Sequence, residues 1–303
     1  MQTLNEIKKE LQFNNDLIKL LEIMKNISIA YYQSLLASKS TFSPYMEAVE
    51  GFFHLLDIER IEHPFVREYT EKKAVIIFSS DEGFMGSLNA QIINAGLEEI
   101  KKGKGEVVIL GEKGRDYLID LGKKVRSREE LEEEREGVLK REEDFVFFSR
   151  VSTEMRKEMA SSLKDYLLKG IKGRRFSKVV VFYARPLSFL FQKVEKVILF
   201  PILFAFPSLA EKQGAEDKRQ KPPIVESSPE EIIEYLMERW LAERLIEIIE
   251  ESRLSELSAR AIHLEKSKED LEREQKRIKL RYFRAYHEFV DKNIRETFSA
   301  QFV

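Results

Sequence analysis

Residues 254–289 read LSELSARAIHLEKSKEDLEREQKRIKLRYFRAYHEF, and apolar side chains recur along this stretch at alternating steps of three and four positions. Only Lys268 and Gln275 interrupt the stripe, which consists of Leu254, Leu257, Ala261, Leu264, Leu271, Ile278, Tyr282, Ala285 and Phe289. A 3.5-residue repeat is typical of a left-handed coiled coil. Burial of one leucine contributes about 1.5–3 kcal/mol, and a lone helix cannot obtain that stabilisation, so we expect a partner helix.

The N-terminal segment has a similar periodicity and is the nearest partner. No glycine precedes Gly51, and Pro44 predicts a kink or a restart of the helix. We therefore predict that residues 1–62 form a coiled-coil helix that pairs in antiparallel orientation with residues 229–303. The stripe consists of Leu4, Ile7, Leu11, Ile18, Leu21, Tyr32 and Leu35, with the polar Asn14, Lys25 and Ser28 in the same register.

Between these two helices the pattern changes to alternating strands and helices. β-rich runs occur at 74–78, 106–110, 144–148 and 178–183, and helical patterns at 88–102, 112–121 and 153–172. Such alternation predicts a mostly parallel sheet with helical crossovers. The fold class is thus α/β: a long antiparallel coiled coil of the N- and C-terminal helices with an inserted Rossmann-like α/β domain at 70–210. We interpret the apolar run 197–206 as a buried strand pair that turns at Pro201.

The start of the C-terminal helix has a clear signal. Residues 211–228 are rich in charge and proline and are predicted to form a linker. Ser228 is suited to the N-cap, Pro229 to the first helical position, and Glu231 completes a capping box. From Pro229 onward the chain has no glycine, so we predict one C-terminal helix over 229–303.

Composition excludes several classes of protein. Charged residues make up 34% of the 303 residues, but the net charge is only −2, so nucleic acid is not an expected partner. The chain has no cysteine, which excludes disulfides and thiolate sites. The N-terminus does not resemble a signal peptide, and the longest apolar stretch is far shorter than the roughly 20 residues of a membrane span. We expect a cytoplasmic protein without a direct membrane span.

A glycine-containing loop follows the first predicted strand and raises the question of nucleotide binding. Residues 79–93 read SSDEGFMGSLNAQII, which lacks both the GxGxxG pattern and the GK[ST] of a phosphate loop. We interpret the loop as a tight turn whose glycines permit positive φ or close packing. The four histidines share no metal-ligand spacing. We therefore predict no catalytic residue, no cofactor and no metal, and a mechanical or scaffolding role.

Three stretches of the chain resemble the gamma subunit of F-type ATP synthases. The loop SDEGFMGSLN is similar to the family's Ser-Asp-Arg-Gly-Leu-Cys-Gly-Gly-Leu-Asn signature. Met24 and Lys25 match a Met-Lys pair in the N-terminal helix, and the stretch around Ser255 and Glu256 resembles a Ser-Glu-x-x-Ala-Arg-Met segment. The resemblance covers essentially the whole chain. The resemblance implies that the loop positions that agree with the signature form a structural turn. These positions are Ser80, Asp81, Gly83, Gly86, Leu88 and Asn89.

The chain departs from the family pattern in the loop and near the C-terminus. In the loop, Glu82, Met85 and Ser87 replace the family's Arg, Cys and Gly, and the change at Glu82 reverses a charge. Near the C-terminus the family reads Tyr-Asn-x-Ala-Arg-Gln, whereas this chain has Tyr286 and His287 in place of the Arg-Gln pair. These departures are typical of a divergent member of the family.

The resemblance implies a central rotor shaft without catalytic groups of its own. Its implied partners are the alpha and beta subunits of the catalytic ring, the epsilon subunit and the membrane rotor ring. Such a protein would lie at the inner face of the cell membrane and would couple ion flow, of protons or sodium, to ATP chemistry on the beta subunits. The residues expected to face these subunits are Met24, Lys25, Tyr282, Tyr286, His287, Phe289, Ile294 and Phe298.

Two other functions remain open from the sequence. A free-standing coiled-coil interaction protein that kept the architecture but lost the rotor role would explain the altered C-terminal tip. A small nucleotide-binding enzyme built on the α/β domain is the other alternative, and the missing phosphate-loop motif argues against it.

Overall fold

A computed structural model describes residues 3–38, 48–49, 51–53, 61–123, 125–127, 143–148, 156–205 and 228–301. The chain divides into two compact units. One unit, here called the two-helix unit, comprises residues 1–34 and 257–303. The other, the sheet unit, comprises residues 35–256.

The two-helix unit consists of parts of the helices α1 (Leu4–Ser38) and α6 (Pro229–Gln301). The side chains of the α1 stripe predicted from the sequence are buried or half-buried, and even the polar Asn14 and Ser28 are buried. The coiled-coil pairing of the two helices is confirmed. On α6 the buried stripe residues in this unit are Leu257, Ala261, Leu264 and Ile278.

Four polar pairs between α1 and α6 define the direction of the pairing. Along α1 the paired positions rise from 10 through 15 and 22 to 25, while along α6 they fall from 281 through 275 and 268 to 265. The two helices are therefore antiparallel, as predicted. At its other end, α6 begins with the predicted cap, because the Glu231 N–H donates to Ser228 Oγ at 3.3 Å.

The sheet unit is built on a six-stranded sheet with the order β3-β4-β2-β1-β5-β6. All neighbouring strands are parallel except β5 and β6, which are antiparallel. This arrangement confirms the predicted α/β class. The strands are β1 (Lys73–Phe78), β2 (Gly105–Leu110), β3 (Val125–Ser127), β4 (Glu143–Phe148), β5 (Lys178–Pro186) and β6 (Gln192–Phe200). The helices are α2 (Leu88–Ile100), α3 (Glu112–Asp120), α4 (Arg156–Lys172) and α5 (Ile202–Ala205).

Both faces of the central strands are covered, which explains why these strands are continuously apolar. Ile76 and Phe78 lie in a core that also contains side chains of α4 and the first part of α6, among them Trp240. Successive side chains of a strand point to opposite faces, so Ile77 faces the other side. There, α2 approaches so closely that a Cβ added at Gly96 would stand 2.5 Å from Ile77 Cδ1.

Some expectations from the sequence differ from the structure, and others concern residues that the structure does not describe. The run 197–206 is not a strand pair, because β6 ends at Phe200 and the helix α5 follows Pro201. The predicted kink at Pro44 and residues 211–227 of the predicted linker lie outside the described residues. The domain boundaries at 62, 70, 210 and 229 remain predictions. Among the described helices, none carries an apolar stretch long enough to cross a membrane.

Candidate functional site

The glycine-containing turn between β1 and α2 is closed by hydrogen bonds among its own residues. The Ser80 N–H donates to Asn89 Oδ1 at 3.2 Å, and Asn89 Nδ2 donates back to Ser80 Oγ at 2.8 Å. Ser80 Oγ in turn donates to the carbonyl oxygen of Glu82 at 2.7 Å. Two of the residues predicted to form the turn, Ser80 and Asn89, therefore tie its beginning to its end.

The remaining predicted turn residues have different environments. Gly86 has a φ of 58°, a left-handed conformation that favours glycine, whereas nothing lies within 4 Å of a Cβ built at Gly83. Leu88 opens α2 and is buried. Phe84, which the sequence did not single out, also has a positive φ of 64° and exposes half of its side chain.

Asp81 links the turn to the N-terminus of α3. Its Oδ1 accepts a hydrogen bond from the Glu112 N–H at 3.1 Å, at the N-terminus of α3. The next amide, that of Lys113, donates to the carbonyl oxygen of Ser80 at 2.9 Å. A helix N-terminus binds phosphate through free N–H groups, and both of these are already engaged by the protein. The first two amides of α3 are thus not free for a phosphate, and Asp81 and the Ser80 carbonyl oxygen tie the turn to that helix.

A basic side chain of α6 interacts electrostatically with the carboxylates of the loop after β1. Arg253 Nη1 is 2.8 Å from Glu256 Oε2. Burial by itself lowers the pKa of Arg253, but the carboxylates of Glu256, Glu82 and Asp81 outweigh this effect and hold that pKa above its ordinary value. The negative charge that replaces the family's arginine at position 82 is therefore near an arginine of α6. Arg253 was not predicted from the sequence, because only the packing of α6 within the sheet unit brings it near Glu82.

Three of the polar residues that interrupt the two coiled-coil stripes are paired across the helices, whereas Ser28 donates to the Met24 carbonyl oxygen of its own helix. Lys25 of α1 donates to Glu265 of α6, and Lys268 of α6 donates to Glu22 at 3.3 Å. Gln275 donates to Asn15. The two breaks in the α6 stripe thus select a register, because a shift of either helix would separate all of these groups.

The structure places the predicted contact residues of α1 at the edge of the two-helix seam. Met24 is half-buried, and Lys25 exposes 19% of its side chain because it is held by Glu265. The hydrogen bond and charge of Lys25 hold the pKa of Glu265 below its ordinary value, against the smaller effect of burial. Lys25 therefore already has a partner within the chain.

The predicted contact residues of α6 are largely exposed. Tyr282 and Tyr286 stack with ring centroids 6.3 Å apart, and Tyr286 meets the edge of His287 at the same separation. Phe289, Ile294 and Phe298 expose about half or more of their side chains. These three apolar residues are not closed off by the pairing of α1 with α6.

The register explains this exposure. Arg281 lies opposite Glu10, so extension of the antiparallel pairing to Thr3 brings α6 to about His287. The part of α6 from Glu288 to Gln301, here called the helix extension, therefore has no opposite residue in the described part of α1. Its apolar side chains are available to other chains.

The described residues contain no group of three or more histidine, aspartate or glutamate side chains that could hold a metal ion. Several buried ionic groups of the sheet unit pair with each other. Glu99 of α2 lies between Lys73 and Lys196, with Lys196 Nζ 2.8 Å from Glu99 Oε2. Tyr183 donates to Glu251 Oε2 at 2.8 Å. Burial, together with the Glu251 carboxylate, raises the pKa of Tyr183, which remains a neutral donor.

Comparisons with known proteins cover nearly the whole chain. A family model described as ATP synthase matches residues 3–300. An ATP synthase gamma chain from Heliobacterium modesticaldum is 23% identical, over 98% of this chain and 97% of the relative. One from Chlorobium phaeobacteroides is 24% identical, over 94% of this chain and 92% of the relative.

Solved structures with the same fold come from mitochondrial ATP synthases. A chain in the OSCP/F1/c-ring structure of the Euglena gracilis enzyme is similar with a TM-score of 0.63 at 13% identity, covering 98% of this chain and 93% of that chain. A chain in the rotor structure of the same enzyme has a TM-score of 0.62 at 14% identity, with coverage of 95% and 98%. At these identities the likeness establishes the shared fold.

Proposed function

The chain belongs to the gamma-chain family of ATP synthases, and we therefore propose that it works as the central stalk, or rotor shaft, of a rotary F-type ATP synthase. One observation carries this proposal: the family model matches residues 3–300, which include both helices of the antiparallel pair and the whole sheet unit. The match thus spans both helices of the predicted shaft and the domain between them.

The shaft role requires an asymmetric surface rather than catalytic groups. Rotation of the chain inside a ring of alpha and beta subunits biases three catalytic sites toward different states, and only an asymmetric surface can do so. Two features supply asymmetry: the two helices have different exposed faces, and one helix continues past the other at about His287. In this proposal the chain is non-catalytic, and nucleotide chemistry belongs to the beta subunits.

The helix extension is the part of the chain that contacts the catalytic ring. Phe289, Ile294 and Phe298 supply apolar contact area, and Tyr286 and His287 replace the family's Arg-Gln pair as polar contacts. Met24 contributes from α1. Lys25 acts indirectly, because its ion pair with Glu265 holds the two helices in register.

The other partners follow from the same role. The sheet unit docks on the epsilon subunit and the membrane rotor ring, so the chain is peripheral to the inner face of the cell membrane through the complex. Similar chains in the rotor of the Euglena gracilis enzyme and in the central stalk and c-ring of the Tetrahymena thermophila enzyme support this assignment. The alternative of a free-standing interaction protein gains no support from the comparisons.

Co-expression with the alpha and beta subunits of the same genome tests the proposal. We expect native mass spectrometry to detect a complex of three alpha, three beta and one copy of this chain, with ATPase activity that depends on the chain. Phe298→Ala should lower this activity, whereas Phe191→Ala, which removes a similarly exposed ring from the sheet unit, should not. A folded chain that forms no complex would refute the shaft role.

A further inference from the structure

The amino ends of the parallel strands β1, β2 and β5 lie at one edge of the sheet, here called the amino edge. Hydrogen bonds join the segments that lead into these strands. The Lys73 N–H donates to the carbonyl oxygen of Lys104 at 3.0 Å, and the Ser177 N–H donates to that of Lys72 at 3.0 Å. Ser177 Oγ also accepts the Tyr69 N–H at 2.8 Å. These segments, which form one continuous surface, are 69–72, 101–104 and 173–177.

The amino edge is rich in basic side chains. Its exposed lysine and arginine residues are Lys72, Lys101, Lys102, Lys104 and Arg174. The same three segments contain one acidic residue, Glu71. The edge therefore has a clear excess of positive charge, although the chain as a whole has a net charge of −2.

The buried carboxylate nearest to this edge does not remove the excess. Glu99, near the end of α2, lies 3.4 Å from Lys73 Nζ, 2.8 Å from Lys196 Nζ and 3.7 Å from Lys102 Nζ. One carboxylate thus serves three lysines. Two of these lysines, Lys102 and Lys196, keep 70% and 43% of their side chains exposed.

Two exposed aromatic rings stand among the basic side chains. Arg174 Cζ lies 4.9 Å from the ring centroid of Tyr69, and Lys178 Nζ lies 5.1 Å from that of Phe204. Tyr69 and Phe204 expose 41% and 54% of their surface. Aromatic rings are enriched where a protein meets lipid head groups, and lysine and arginine are attracted to anionic lipids. The amino edge combines both features.

A nucleic acid is a poorer fit to the same surface. Proteins hold single strands on aromatic rings against which the bases stack. At the amino edge one face of each ring is already covered by a cation of the chain, from Arg174 or Lys178. A lipid surface needs no free ring face, and it offers anionic groups over an area that matches basic residues on three segments.

We propose that the amino edge of the sheet binds the anionic head groups of a lipid bilayer directly, with Tyr69 and Phe204 at the level of these head groups. Each lysine or arginine near an anionic membrane strengthens binding about fivefold, so several of them are enough for a weak and reversible contact. The inference goes beyond the proposed rotor role and rests on the sheet unit alone.

Vesicle sedimentation with the full chain tests the contact. We expect the chain to bind vesicles in which about one third of the lipid is anionic phosphatidylglycerol, and not vesicles of phosphatidylcholine alone. Binding should fall steeply between about 0.1 M and 1 M salt, because the Debye length shortens from about 10 Å to about 3 Å.

A pair of charge variants locates the contact on the molecule. Lys72→Gln/Lys101→Gln should lower the affinity for the anionic vesicles about 25-fold, because it removes two of the attracted charges. Lys113→Gln/Lys193→Gln is the matched control, since both lysines are exposed and lie near the carboxyl ends of β2 and β5, at the opposite edge of the sheet. The helix content of both variants should equal that of the wild type.

Each outcome decides the proposal. It stands if the chain binds only the anionic vesicles and if the control variant binds them as the wild type does. It is overturned by no binding, by equal binding to both kinds of vesicle or by equal losses in the two variants. Tighter binding of single-stranded DNA, with the same dependence on Lys72 and Lys101, would also overturn it.

A fluorescence measurement checks the position of the aromatic rings. The chain has one tryptophan, Trp240, which is 3% exposed and contributes a constant background. The emission of Phe204→Trp should shift to shorter wavelength when anionic vesicles are added. Phe191→Trp is the control, because Phe191 is 67% exposed between β5 and β6 and should stay in water. Equal shifts of the two variants, or no shift at position 204, would overturn the proposal.

Discussion

Leu264 offers the most direct test of the coiled-coil register. Its side chain is fully buried in the two-helix unit, and the neighbouring residue Glu265 pairs with Lys25 of α1. Leu264→Ala keeps the charges unchanged and the helix propensity high, but it removes most of this buried apolar side chain. Any loss of stability then reports packing between the two helices.

The expected magnitude follows from the burial. Complete burial of a leucine side chain contributes about 1.5–3 kcal/mol, and Leu→Ala substitutions in cores cost about 2–5 kcal/mol because a cavity adds to the lost transfer energy. A pair of helices can close a cavity more easily than a layered core can. We therefore expect a decrease of about 2–3 kcal/mol in the free energy of unfolding, in the lower half of that range.

Urea unfolding followed by circular dichroism at 222 nm measures this decrease. Leu280→Ala is the matched control, because Leu280 lies on the same helix with 61% of its surface exposed. Its substitution should change the free energy of unfolding by less than about 0.5 kcal/mol. Equal effects of the two substitutions, or no effect of Leu264→Ala, would refute the register on which the coiled coil rests.

Three further predictions concern charges and a turn. Glu99→Gln should lower the free energy of unfolding by about 1–3 kcal/mol, because it weakens charge-assisted hydrogen bonds with the lysines of β1 and β6. Glu98→Gln is the control, because Glu98 is exposed on the same helix. Equal effects of the two substitutions would contradict the prediction. Gly111→Ala should lower the melting temperature by several degrees, because φ of Gly111 is 98° and the new Cβ would stand 2.4 Å from the Ser79 carbonyl oxygen. An unchanged melting temperature would contradict this prediction. Since the pKa of Glu265 in the folded chain lies below its ordinary value of 4.5, its ion pair stabilises the fold above that pH and is lost as the pH falls through the folded pKa. Glu265→Gln should flatten the loss of stability between about pH 5 and pH 3 in urea titrations, and a slope equal to that of the wild type would argue against this role.

The strands that were predicted from the sequence are those buried on both faces. β1, β2, β4 and β5 are continuous apolar runs, and each was predicted within a few residues of its bounds. β3 has only three residues and gives no periodic signal. β6 lies at the edge of the sheet and mixes Lys193 and Glu195 with apolar residues, so the sequence indicated only the apolar run 197–206, which overlaps the last four residues of β6.

The candidate site was predictable in part for similar reasons. The turn residues stood out because their spacing is a local feature of the sequence. The partners of the polar stripe residues did not, because Lys25 and Glu265 are 240 positions apart and only the register of the two helices brings them together. Arg253 was missed for the same reason, since its relation to Glu82 depends on the packing of α6 within the sheet unit.

The helix extension has a calorimetric consequence. Phe289, Ile294 and Phe298 are hydrated in the isolated chain, and enclosure by another protein would remove them from water. Burial of apolar surface lowers the heat capacity, so assembly measured by titration calorimetry at several temperatures should give a negative heat-capacity change. A chain shortened before Glu288 should give a heat-capacity change of smaller magnitude. This difference should be seen even where enthalpy and entropy compensate and the affinity changes little.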